Sequence, residues 1–462
     1  MYYLFYLVLA SSAMAEFFTT SYKGTGLPIL PGPVKFLPEM LSVAYATFVV
    51  VAGLRQKFSS VPVKYLLVSG MIVVIIVCGV LVNDVAPGPV LAGMRYYLRA
   101  LPFLFFPAVM KLQDWQLRRY LNFILALCFF QVPLSIYQRY HLETHGLSTG
   151  DGVMGTLMDS GGLSLFLICV MCVLSAAVVR GLLGRTAFLA IFVILVVPIS
   201  INETKVTAFL LPPALLATFL VASEPGRRVR VFLSGLAVIA IGGAVFVPLY
   251  NYLNKLNTPA EEQFTIDQVF TDKFLSGYLE SHSSVGRAEK GHVGRVDALV
   301  VPLKILSADP IKFAFGLGIG NVGNSSLGAA FTGKYQKAYG PFVEGFSSGT
   351  FLLEVGVVGF TLILLLHFMV LQDALFVARH DKELTGVIAA GWVGVSIVVI
   401  PGMFYTSIHV VEAFSYCYWF FSGLIVTRRL ALSVQKSREV REVAQAKRVR
   451  TSHPLSGPDA AS

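Results

Sequence analysis

Residues 187–222 read AFLAIFVILVVPISINETKVTAFLLPPALLATFLVA. Two apolar runs, 187–201 and 206–222, flank a short polar turn, Asn202-Glu203-Thr204-Lys205. A helical run of about 20 apolar residues spans a ~30 Å hydrocarbon core. Membrane barrel strands instead show short runs of alternating polarity. The stretch therefore reads as a helical hairpin through a bilayer. Pro212-Pro213 is expected to kink its second arm.

The same pattern recurs in both directions. The chain of 462 residues is 55% hydrophobic and 13% charged, where a soluble domain carries about 25% charged residues. Mean hydropathy is +0.72. The fold class is an all-α polytopic membrane protein of about 12 transmembrane helices. The expected spans are 2–18, 34–53, 65–82, 94–111, 120–140, 163–179, 187–201, 206–222, 231–249, 348–370, 384–403 and 409–426. Basic residues follow the even-numbered spans: Arg55, Lys111, Arg180, Arg227, Arg379 and Arg428 each open such a cluster. By the positive-inside rule that side is cytoplasmic, and so are both termini. The chain then divides into spans 1–9 (1–249), a large folded external loop (250–347), spans 10–12 (348–427) and a basic cytoplasmic tail (428–462).

This layout excludes several classes. The net charge of +10 sits in short loops and the tail, so it serves topology and does not point to nucleic acid. The tail is suited to anionic membrane lipid, worth ~1 kcal/mol per basic residue near the surface. All five cysteines lie in apolar runs, so the polar loop has no disulfide framework. Cys169 and Cys172 have CxxC spacing but read as packed hydrophobes within a span. Ala13-Met14-Ala15 resembles a signal-peptide cleavage site, yet no Lys or Arg precedes the apolar run. An uncleaved first span is expected.

The one long polar segment runs from Tyr250 to Glu344, with nine Lys/Arg and nine Asp/Glu. Connections longer than roughly 12–15 residues are usually functional or disordered, and regular apolar spacing favours a folded one here. Ile266, Phe270, Phe274 and Tyr278 fall on one face of an amphipathic helix. Val296, Leu299, Val300, Leu303 and Leu306 predict a second helix behind Gly294-Arg295. Pro302 is expected to kink it and Asp309-Pro310 to end it. Gly316, Gly318 and Gly320 in FGLGIGNVGNSS (315–326) allow close backbone approach to a ligand or a neighbouring helix.

Several cations break the positive-inside pattern: Arg95, Arg99, Arg139, Lys205, Arg287 and Arg295. A charge near hydrocarbon costs several kcal/mol unless it is paired. Arg95 and Arg99 are one helical turn apart and share a face, where an anion between them would relieve their repulsion. Guanidinium pairs suit phosphate oxygens. Arg139, at a helix end beside His141, is expected to snorkel to the interface. Lys205 reads as the partner of Glu203 at the cap of span 8. Glu39, Glu354 and Glu412 are carboxylates within spans, expected to pair with the misplaced cations.

In order along the chain, Asn202-Glu203-Thr204-Lys205-Val206-Thr207-Ala208, the late external loop, Gly294-Arg295-Val296-Asp297 through Ala308-Asp309-Pro310-Ile311, Gly316-Leu317-Gly318-Ile319-Gly320-Asn321, and Ser348-Gly349-Thr350 through Gly359 together resemble the O-antigen polymerase/ligase superfamily of bacterial envelope glycosyltransferases. The resemblance covers roughly spans 4 to 10. It implies a GT-C-like helical bundle in the bacterial inner membrane. The implied activity is metal-independent, inverting polymerisation of polyprenyl-diphosphate-linked oligosaccharides into an exopolysaccharide, capsule or O-antigen. No cofactor is implied; a flippase and a chain-length regulator are the implied partners. Ligase-like members carry a histidine just before the last motif, where this chain has Phe346-Ser347-Ser348. Its central turn also has Thr204-Lys205 in place of Ser-Arg. A polymerase therefore fits better than a ligase. A lipid-linked saccharide flippase or a non-catalytic secretion subunit are the further alternatives.

On this reading the diphosphate is bound by Arg95, Arg99, Arg139, Lys205 and Arg295. The leaving group is already good, so neither a metal nor a covalent intermediate is required. The acceptor hydroxyl needs a general base, for which Glu344, His292, His282 and Asp297 are candidates. Glu344 is preferred because it adjoins the position of the missing histidine, and Arg295 and His292 complete the expected catalytic set.

Overall fold

A computed structural model describes residues 2–21, 24–55, 61–110, 112–146, 152–257, 294–340 and 345–452. Every regular element among them is a helix. In chain order these are α1 (Tyr2–Met14), α2 (Leu37–Arg55), α3 (Val63–Val82), α4 (Pro87–Leu98), α5 (Leu101–Val109), α6 (Asp114–Thr144), α7 (Ser160–Val179), α8 (Arg185–Ile201), α9 (Val206–Ala222), α10 (Arg228–Asn257), α11 (Asp297–Ser307), α12 (Pro310–Phe315), α13 (Gln336–Tyr339), α14 (Ser347–His380), α15 (Leu384–Tyr405) and α16 (Glu412–Ser452).

Seven of the described helices are long and apolar enough to cross a membrane, and α1, α8 and α9 are shorter apolar helices. The protein is thus a helical membrane-type bundle. The hairpin expected over 187–222 is present as α8 and α9, and both prolines lie inside α9 without ending it. The centre of the bundle is α15, which packs on α14, α7 and α9, while α16 packs on α5. Small residues make that packing close: a Cβ on Gly391 of α15 would lie 2.6 Å from the Val173 backbone.

Ion pairs mark the two ends of the bundle. At one end Lys64 meets Asp373 at 2.8 Å and Arg428 meets Asp381 at 2.7 Å. There Arg180 also donates to the carbonyls of Ala222 (2.8 Å) and Ala378 (2.5 Å), at the ends of α9 and α14. This is the basic pole. At the opposite pole lie the ends of α4, α6 and α8 and the starts of α2 and α16, with the remaining buried ion pairs.

Three expectations need correction. The single helix placed at 94–111 is two, α4 and α5, broken at Arg99-Ala100. Pro102 in the first turn of α5 lacks the N–H that a continuous helix needs. The last span starts at Glu412 and not at His409, and it continues unbroken into the basic tail as α16. The helix from Ser347 runs to His380, beyond the expected end at 370, and it is broken inside at Gly356 (φ +68°).

That break is filled by the glycine segment. Leu317 and Gly318 donate their N–H groups to the carbonyls of Leu353 and Glu354 at 2.7 and 3.0 Å. Irregular backbone at membrane depth is tolerated where protein satisfies it. The positive φ of Gly316, Gly318 and Gly320 lets the segment thread between helices. A Cβ on Gly320 would lie 1.8 Å from the Pro89 carbonyl oxygen. Of the two uses open in sequence, approach to neighbouring helices is present at these glycines.

Candidate functional site

At the pole opposite the basic one, Glu39 in the first turn of α2 reaches across to α4. It accepts from Arg95 Nε at 2.8 Å, and a second Arg95 N–H meets its other oxygen. The same carboxylate lies 3.4 Å from Arg99 Nη1, which also bonds Glu412 at 2.6 Å. Arg99 Nη2 donates to the carbonyls of Val410 (2.7 Å) and His409 (3.3 Å). Its side chain is 5% exposed. Glu39 and Glu412 each open a helix, where the macrodipole favours a carboxylate. The expected sharing of a face by Arg95 and Arg99 is present, and the carboxylate of Glu39 is the anion between them.

Glu354 departs from the expected pairing. It is buried at 3% exposure and faces the backbone N–H groups of Gly320 and Val322 and the hydroxyl of Tyr97. It lies against the glycine segment, and no arginine is its partner in an ion pair among the described residues. Arg139 departs too. Instead of snorkelling, its side chain is 5% exposed and bonds Glu143 at 2.6 Å and Glu203 at 2.5 Å. It also donates to the Ile201 carbonyl at 3.2 Å. Glu203 therefore serves Arg139 rather than forming the local pair expected with Lys205. Lys205 is half-buried at the N-cap of α9, beside Asn202, whose amide bonds Ser160 and Ser164.

Arg295 precedes α11, half-buried, with its guanidinium 5.2 Å from the ring of Tyr405 and 5.9 Å from that of Phe346. The residues that follow those two rings, Thr406 and Ser347, hold a group that sequence reasoning missed. Ser347 Oγ lies 2.7 Å from His409 Nδ1 and 3.1 Å from the Thr406 carbonyl. Both contacts are met together when the hydroxyl donates to the carbonyl and Nδ1–H donates to the hydroxyl. That tautomer leaves Nε2 as the basic nitrogen. Burial, and then the charge of Arg99, hold this imidazole well below its usual pKa and so neutral. The structure thus brings Arg95, Arg99 and Arg295 to the surroundings of His409 and gathers Arg139 with the turn that carries Lys205. Glu344, His292, His282, Arg287 and the 266–278 helix lie outside the described residues. The available signal for His409 was a histidine three residues before a span-end carboxylate, Glu412.

Three cavities meet here. One of about 140 Å³ is charged, lined by Glu16, Lys35, Glu39, Arg95, Arg99 and Glu412. A second, about 130 Å³, is lined by Gly320, Asn324, Thr350, Ser407 and His409, with Glu354 at its edge. A third, about 90 Å³, is largely apolar, with Leu98, Phe351, Leu366, Met403 and Trp419 in its wall. Tyr96 lines all three, and His409 lines the second and third.

The chain matches no family model and no curated protein.

Proposed function

We propose that the protein is a membrane glycosyltransferase that polymerises polyprenyl-diphosphate-linked oligosaccharides. The observation that carries this reading is that Tyr96 lines three cavities at once: a charged one, one bordered by Thr350, Glu354, Ser407 and His409, and a largely apolar one. The donor has three parts of matching character: a diphosphate, a sugar and a hydrocarbon chain. The basic pole reads as cytoplasmic, so the site faces the other side of the membrane.

In this reaction the acceptor hydroxyl attacks the anomeric carbon. The bond from that carbon to the diphosphate oxygen breaks, and the electron pair leaves with the diphosphate. The hydroxyl proton passes to His409 Nε2 as the general base. Arg95 and Arg99 supply the positive field that stabilises the departing anion. Glu39 neutralises them at rest, and the diphosphate takes its place on one guanidinium. Arg295, at the rings before Ser347 and Thr406, borders the same site.

One observation favours a second reading, transfer of a finished glycan to a lipid or protein acceptor. The position before the α14 motif, where ligase-like proteins carry a histidine, is Phe346-Ser347 here, yet His409 reaches Ser347 in space. One experiment separates the readings. Cells lacking the protein are complemented with His409→Asn, Arg295→Ala or Arg99→Ala, and their lipid-linked glycans are sized. Single repeat units on the carrier support the polymerase; long lipid-linked polymer supports the ligase. Normal glycan made by all three variants would sink both.

A further inference from the structure

A separate cavity of about 270 Å³ lies toward the basic pole, between α6, α7, α8, α15 and α16. Its walls are apolar and include Leu125, Val170, Ala177, Trp392 and Phe421. It lies where α6 packs on α8 but stands off from α7, α15 and α16, while α7 packs on α8, α9 and α15. Trp392 at its floor is buried, and Arg118 and Leu182 at its rim are exposed. Water finds no partners in such a slot, and an empty one forfeits the dispersion contacts of its lining. The helices α6, α7 and α15 are long and apolar enough to cross a membrane, so hydrocarbon chains are the medium at its mouth.

Among the described residues Arg118 is the only charged one in the lining, and Asn122, one turn further along α6, lines the same cavity. The neighbouring Arg119 is turned away over the ring of Trp115. A guanidinium with a carboxamide beside an apolar slot matches the phosphate and ester groups above an acyl chain. The basic pole also faces the leaflet that attracts cations to anionic lipid.

We propose that this slot binds one anionic glycerophospholipid, with an acyl chain in the cavity and its phosphate on Arg118. This site is independent of the catalytic reading. The test uses the full chain in detergent, exchanged with phosphatidylglycerol or phosphatidylcholine and examined by native mass spectrometry. A diazirine on the acyl tail of the phosphatidylglycerol maps the contact. The wild type is expected to retain one phosphatidylglycerol and to crosslink it to the helices that wall the slot, α6, α7, α8, α15 or α16. Arg118→Gln is expected to lower the preference for phosphatidylglycerol about tenfold, the lower end for a hydrogen bond to a charged group. Ala177→Phe and Leu125→Trp, which fill the slot from opposite walls, are expected to abolish retention of either lipid; the variant that stays folded decides. Equal retention of both lipids by wild type and Arg118→Gln, retention undiminished in the folded filled variant, or crosslinks confined to other helices would each overturn the proposal.

Discussion

Glu412→Gln keeps the shape of the side chain and removes the charge that faces Arg99 at 2.6 Å. The Arg99 and Glu412 side chains are 5% and 18% exposed, so bulk water replaces the lost contact poorly. Breaking a buried pair by removing one partner costs about 3–5 kcal/mol. Arg99 keeps Glu39 at 3.4 Å and two carbonyls, which places the expected loss near the lower end, about 3 kcal/mol. Arg99→Met leaves Glu412 without its nearest cation and is expected to cost a similar amount. The double variant removes both charges and leaves the Arg95–Glu39 pair intact. Its expected loss is about 3 kcal/mol, not the sum of about 6, because residues in one network couple by up to roughly 3 kcal/mol. Reversible unfolding in mixed micelles, followed by tryptophan fluorescence, measures all four proteins. Single variants within about 0.5 kcal/mol of wild type, the range of exposed pairs, would refute the argument. So would a double variant whose loss equals the sum.

Arg139→Met is expected to destabilise by about 3 kcal/mol or more in the same assay, since it strands Glu203 and Glu143; a snorkelling arginine would leave stability nearly unchanged. Gly320→Ala places a side chain at positive φ, costing about 1–3 kcal/mol, and forces a comparable overpacking loss against the Pro89 carbonyl. Folded yield on size-exclusion chromatography should collapse, whereas Gly328→Ala, which meets no neighbour, should lose only the backbone contribution. His409 stays neutral in the fold, while the unfolded chain takes up its proton as pH falls through about 6.5. The stability it contributes is therefore full above that value and lost on acidification. His409→Asn should flatten the fall in stability from about pH 7 to pH 5, and parallel curves for wild type and variant would reject that origin.

Much of the fold was legible because its signal is local. Hydrocarbon burial is a property of each run, so the α8–α9 hairpin and its polar turn could be read from 187–222 alone. The helix 297–307 and its end before Asp309-Pro310 were equally local, whereas the short helix that Asp309 caps at 310–315 was not expected. The helical period put Arg95 and Arg99 on one face. It did not show that Pro102 breaks their helix directly after Arg99, nor that a second break at Gly356 opens α14.

The sequence by itself determined that this is a helical membrane-type protein, that its polar charges cluster at helix ends, and which arginines need partners. Tertiary structure decided who those partners are. Glu39 is 56 residues from Arg95, and Glu412 is 313 residues from Arg99, so no window of sequence holds the cluster. Packing alone also turned the glycines toward helices and set His409 against Ser347, 62 residues away. The reason is physical: hydrophobicity and helical period act over a few turns, whereas the pairing of a buried charge depends on which helix ends meet in space.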